Sequence, residues 1–461
     1  MPGVAYPLTD NRRSSAAFGR HVVAEALRAA DPAAADAAAR ETDWRKGYLR
    51  HFRASVEAGL DGSDRAIAAA GLAAVHDRMR FVNGAAETSL DEALAAEPDR
   101  PFSTIDIVGD EVAEKELTLP YRGSLLSGDS LRKQLDVWVA GGVIEPSCAE
   151  MVREVADHPS WLDLADQRLV VLGAGAEMGP LPAVLGWGAT VVGLDLPQSW
   201  SRVRARKSAG RLIAPARNDV PGADLLTDLP AIAAWLRGIE GRLILGNYVY
   251  APGAAYPLLS AAVDALGVHL GRHRDDLALA FLATPTDVFA VPDEAVTQAR
   301  ARYDARSRRS RLTAAASAGR LLRPNFPYAV SPAINDSLVP QQGPNYALAK
   351  HIQRWRATVA RASTTVSLTV APPTRTRSVT SNRLLAAAYA GAHLFDVEVF
   401  EPETANKLMA ALLVHQIRNP RPAMERVWQE EAFGAAHGGL WRTAYSPRTA
   451  LPLAAVRGLL P

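Results

Sequence analysis

The pattern of hydrophobic positions changes character near residue 165. Before residue 100, "SSAAFGRHVVAEALRAA", "ETDWRKGYLRHFRASVEAGL" and "SDRAIAAAGLAAVHDRMRFV" carry apolar residues three and four apart, which predicts amphipathic helices. Thr42 and Asp43, then Ser63 and Asp64, stand where N-caps belong. "FSTIDIVG" and "KELTLPYRG" read as short strands, and two more helices are expected within "SGDSLRKQLDVWVAGG" and "CAEMVREVADH".

From residue 168 near-continuous apolar runs take over. "RLVVLGAG", "ATVVGLDL", "GRLIAPA", "RLILGNYVYAPG" and "DDLALAFLATPT" predict five strands, with helices such as "AEMGPLPAVLGWG" and "AYPLLSAAVDALGVHL" between them. "YALAKHIQRWRATVARA" resumes the pattern as a helix and "TTVSLTVAPP" as a sixth strand. Buried strands alternating with helices imply a parallel sheet covered on both faces. The expected fold class is therefore α/β: a Rossmann-like doubly wound parallel sheet preceded by a mainly α-helical region. The expected division is 1–160 for that region and 161–461 for the sheet domain, with an insertion at 287–340 and a C-terminal extension at 402–461.

Composition narrows the function classes. Of 461 residues, 48% are apolar and 22% charged, and the formal net charge is +2, so no global field favours nucleic acid or an anionic membrane. The lone cysteine, Cys148, has no partner for an internal disulfide. The first twenty residues lack the apolar core of a secretory signal, and no uninterrupted apolar run reaches about 18 residues, so a cytoplasmic chain without a membrane span is expected. The ten histidines show no metal-ligand spacing, so no metal is expected, and there is no G-x-S-x-G hydrolase elbow.

"VVLGAGAEMG" puts Gly173, Gly175 and Gly179 between a strand and a helix. Such glycines permit a tight turn and close approach to a pyrophosphate, which the helix N-terminus would then bind. The second strand ends at Asp195, 22 residues after Gly173, where an acid can hold a ribose 2′-OH and repel a 2′-phosphate. That favours NAD(H) over NADP(H), although Arg202, Arg204 and Arg206 follow. Asp224 and Leu225, after the third strand, are placed to flank an adenine, and "GNYVYAPG" lies at the height of the ribose and nicotinamide. "GPNYALAK" sets Tyr346 and Lys350 one helical turn apart, so the lysine's charge favours the phenolate and suits the tyrosine to acid–base work.

These segments, in this order, resemble the short-chain dehydrogenases/reductases over roughly residues 165–400. "LGAGAEMG" stands at the family's glycine-rich turn, with Glu177 where a glycine often occurs and Met178 beside it. "DL" at 224–225 matches the acid–aliphatic pair, Asn247 the asparagine of the Asn-Ala-Gly segment, and "YALAK" the Tyr-x-x-x-Lys pair. "VSLTVAPPTRTRSV" is similar to the following strand and its Pro-Gly…Thr loop, which puts Thr374 and Thr376 against the cofactor. The resemblance implies hydride transfer between a nicotinamide and a carbonyl or alcohol carbon, with Tyr346 as acid/base and Lys350 lowering its pKa and holding a ribose. The family's serine is missing about thirteen residues before the tyrosine. Thr284 or Thr286 supplies the hydroxyl after an insertion, or Ser337 does.

The insertion carries eight arginines from Arg300 to Arg323 against one acid, Asp304. It reads as a solvated helix face or as an arm for an anionic substrate such as an acyl thioester. His437 and Trp441 belong either to a loop over the site or to packing at the sheet edge. The family's habit of forming dimers or tetramers through the helices around the sixth strand implies a homo-oligomer, unless residues 1–160 cover that contact. Two other readings remain: an S-adenosylmethionine methyltransferase, whose first two strands look alike, and a dinucleotide-binding sensor or scaffold without catalysis.

Overall fold

A computed structural model describes residues 3–9, 11–204, 208–328 and 330–459, without the side chain of residue 204. Arg206 falls outside the described residues. Among the described residues eight strands form the main sheet: β1 (Ser103–Val108), β2 (Gln167–Leu172), β3 (Thr190–Leu194), β4 (Arg211–Arg217), β5 (Val220–Pro221), β6 (Arg242–Asn247), β7 (Ala278–Ala283) and β8 (Val366–Val370). The spatial order is β5-β4-β3-β2-β6-β7-β8, and β1 also pairs with β4. All pairs from β4 through β8 are parallel, while β1 and β5 run antiparallel to β4. The apolar runs follow from this geometry, because alternate residues enter different cores. Val170 and Leu172 join one hydrophobic cluster, and Leu169 and Val171 join the other.

The register aligns the ends of the strands. Asn247 pairs with Leu172 on one side and Phe281 on the other, so Gly173, Asn247 and Thr284 emerge along one edge with Asp195. Parallel strands place ligands at that carboxyl edge.

The N-terminal helices form where the periodicity predicts them: Ser15–Arg28, Trp44–Gly59 and Asp64–Arg78. Asp43 caps the second by accepting from the Lys46 N–H, whereas Ser63 occupies the N-cap position without a side-chain bond. These helices pack against Pro344–Ala360, which carries Tyr346. Gly71 lies flat on Trp355, so close that a Cβ there would stand 2.6 Å from the ring. Beside it the buried Asp264, on helix Ala255–Gly271, accepts from Arg356 at 2.7 and 2.8 Å and contacts His76 at 2.6 Å. Residues of the N-terminal region therefore cover the helix pair beside the sheet.

Residue 160 marks a change of texture in the sequence. It does not mark a packing boundary, since β1 belongs to the main sheet and one hydrophobic cluster runs from Val4 to Trp441. The insertion holds a two-stranded ribbon, Val288–Val291 with Ala333–Asp336, and two helices, Asp293–Asp304 and Arg308–Ala316. Among the described residues no helix is long and apolar enough to cross a membrane, and no group of three metal-ligating side chains converges.

Candidate functional site at the carboxyl edge of the sheet

Thr284 follows the last residue of β7, and Tyr346 lies 62 residues later on the first turn of the Pro344–Ala360 helix. The fold packs the Thr284 hydroxyl close enough to Tyr346 to act on its phenol. Burial pushes the Tyr346 phenol up, the Lys350 charge and the Thr284 hydroxyl oppose it, and the result is about 12. Burial in turn lowers the Lys350 ammonium. Lys350 donates to the Leu282 carbonyl and to Gln353 Oε1, each at 3.1 Å. An ammonium has three N–H donors, so one is left for a ligand or the phenolate. The Tyr256 ring packs 5.6 Å from that of Tyr346.

Asn247, at the end of β6, is 3% exposed, and its Oδ1 has no partner among the described residues. A buried acceptor without a donor marks a place where a ligand donor would be favourable. Ser337, the rival to Thr284, commits its hydroxyl to the core. It is fully buried and donates to Asn335 Oδ1 at 2.6 Å, inside a network with Asn325 and the Leu440 carbonyl. Thr286 joins the site one step removed, 3.0 Å from Thr284 Oγ1.

The glycine turn departs from its expected form. Gly173 adopts φ +86°, and a Cβ there would stand 2.9 Å from the Tyr248 carbonyl, so a glycine is needed for this close approach. The helix expected from Ala176 onward spans only Leu181–Gly186, because Pro180 and Pro182 at its start supply no N–H. The Gly175 N–H donates to Asp195 Oδ2 at 2.6 Å, the Ala176 N–H to the Gly173 carbonyl, and the Gly179 N–H to the Ala176 carbonyl. Asp195 Oδ1 accepts from its neighbour's N–H, Leu196, at 2.7 Å. The free amide cluster expected for a pyrophosphate is thus largely committed within the protein.

Glu177 accepts from the Arg377 backbone N–H at 2.8 Å and from its Nε at 2.9 Å. That contact ties the glycine turn after β2 to the loop after β8. Since β6 and β7 lie between those strands, the loop spans the edge where Asn247 and Thr284 emerge. Of the loop's threonines, Thr374 is buried and donates to the Pro372 carbonyl, while Thr376 pairs with Ser378 at 2.9 Å. Met178 packs half-buried against the core, and Gly179 accepts at its carbonyl from Asn406. Asp224 Oδ1 accepts from Leu226 N–H in its own turn, and Leu225 is 7% exposed in the core. Neither is set aside for an adenine.

The flanking expectations resolve toward packing. His437 is buried, its Nε2 2.8 Å from Glu145 Oε1 and its ring stacked on Trp441 at 4.6 Å. Arg302 donates to the Gly141 and Arg442 carbonyls, and Arg306 lies over Tyr303, while Arg300, Arg308, Arg309, Arg311, Arg320 and Arg323 are exposed. Arg202 reaches Ser199 Oγ at 3.3 Å. Gln342, Gln353 and Arg377 carry no motif in the sequence, and only the fold brings them to the site. Comparison with protein-family models, with curated proteins and with solved structures gives no match.

Proposed function

We propose that this chain is a Rossmann-like oxidoreductase of the short-chain dehydrogenase/reductase type, acting on a small carbonyl or alcohol with NAD(H) preferred over NADP(H). The observation that carries this reading is the placing of Thr284, Tyr346 and Lys350 side by side across an insertion, at the carboxyl edge of a sheet whose parallel strands run β4-β3-β2-β6-β7-β8, which is 3-2-1-4-5-6 when they are counted along the chain. A bound nicotinamide would supply the hydride acceptor or donor. Within the protein, Thr284 orients the reacting oxygen and Tyr346 gives or takes its proton. Lys350 keeps one N–H for a ribose and favours the phenolate, and Asn247 offers an acceptor. The nicotinamide end of a dinucleotide fits these residues. The diphosphate end fits the glycine turn poorly as it stands.

That misfit favours a second reading, an adenosine ligand without a diphosphate, such as S-adenosylmethionine. The carboxylates of Asp195 and Glu177 at the turn, and the two prolines, suit a neutral or cationic group better than a dianion. Titration with NADH, NADPH and S-adenosylmethionine, read by tryptophan quenching and energy transfer to the nicotinamide, separates the readings. Saturable NADH binding, lost in Asp195→Ala and kept in Tyr346→Phe, supports the oxidoreductase. Binding of S-adenosylmethionine alone would overturn it.

A further inference from the structure

Behind Thr284 runs a line of polar groups that the proposed reaction does not yet use. Gln342 Oε1 accepts from the Val339 N–H at 3.1 Å. A backbone N–H can only donate, so the oxygen of this amide must face it. The Nε2 of Gln342 therefore points the other way, and it donates to Thr286 Oγ1 at 2.7 Å. Thr286 stands 3.0 Å from Thr284, whose hydroxyl in turn acts on the Tyr346 phenol. All three of Gln342, Thr284 and Thr286 are half-buried, so water competes only partly. A hydroxyl that accepts a hydrogen bond becomes a better donor, and the bias passes along the chain. Gly343, at φ +79°, provides the turn that folds Gln342 back from the helix bearing Tyr346.

We propose that Gln342 and Thr286 are positioning residues that orient the hydroxyls of Thr286 and Thr284 toward the Tyr346 oxygen, so that this oxygen carries a donor when it loses its proton. The inference rests on the oxidoreductase reading for its purpose, but its test needs neither substrate nor cofactor.

Incorporation of 3,5-difluorotyrosine at position 346 brings the phenol's titration into the range where the protein is folded, and its ¹⁹F shift reads the midpoint. Thr286→Val and Gln342→Leu should each raise that midpoint by about half a unit or more, as loss of a donor to a charged oxygen requires. Thr286→Ser should restore it, and Ser337→Ala should leave it in place. A midpoint unmoved by Thr286→Val in a protein of unchanged circular dichroism would overturn the proposal, and so would a shift of equal size in Ser337→Ala. If the midpoint moves and NADH does not bind, the chain of donors stands and the oxidoreductase reading falls.

Discussion

Replacement of Asp264 by asparagine tests whether the N-terminal helices are fastened to the helix of Tyr346 by charge. Asp264 is 4% exposed, and both its oxygens are engaged, by Arg356 at 2.7 and 2.8 Å and by His76 at 2.6 Å. Burial works to raise its carboxyl, but Arg356 and His76 override that and hold it at about 2, against 3.8 when unperturbed. A depression of roughly two units corresponds to roughly 2.5 kcal/mol of stability. Removing one partner of a buried pair costs about 3–5 kcal/mol. Arg356 keeps some access to water, so the lower figure is the better guide. Because the folded value is depressed, the contribution is complete above about pH 4 and is lost as pH falls toward about 2. Urea unfolding followed by far-ultraviolet circular dichroism should show Asp264→Asn less stable by about 2–3 kcal/mol at pH 7. The gap should narrow steadily below pH 4. A gap under about 0.5 kcal/mol at pH 7, or one that does not change with pH, would refute the reasoning.

Two further outcomes follow from the site. Glu177→Gln removes the negative charge that pairs with Arg377 beside the turn, so a phosphate-bearing dinucleotide should bind several-fold tighter, measured by NADH titration, while stability falls by no more than an exposed pair allows, about 1 kcal/mol. Thr284→Val should cut turnover by about a hundred-fold or more with folding retained, whereas Ser337→Ala should leave turnover alone and lower stability by about 1–3 kcal/mol, as for a buried acceptor left unpaired.

The contrast between Thr284 and Ser337 shows why part of the site was illegible. Both lie upstream of Tyr346, and the nearer one, Ser337, is nine residues away. Distance along the chain carries no information about which hydroxyl faces the phenol once a ribbon and two helices intervene. The same holds for the glycine turn. Its residues read as a phosphate cradle, but Asp195 satisfies Gly175, and two prolines shorten the helix.

Local elements were legible in the hydrophobic pattern, because a strand buried on both faces must be apolar throughout and an amphipathic helix must repeat every three to four residues. β2, β3, β6, β7 and β8 lie where those apolar runs stand, and the Tyr346–Lys350 spacing places both on one helix. Tertiary structure alone decided what is non-local. It set β1 against β4, laid Gly71 on Trp355, drew Gln342 to Thr286 and latched Arg377 to Glu177. Each of these depends on packing between segments far apart in the chain, where side-chain shape and buried hydrogen-bond satisfaction choose the partner and no periodicity records the choice.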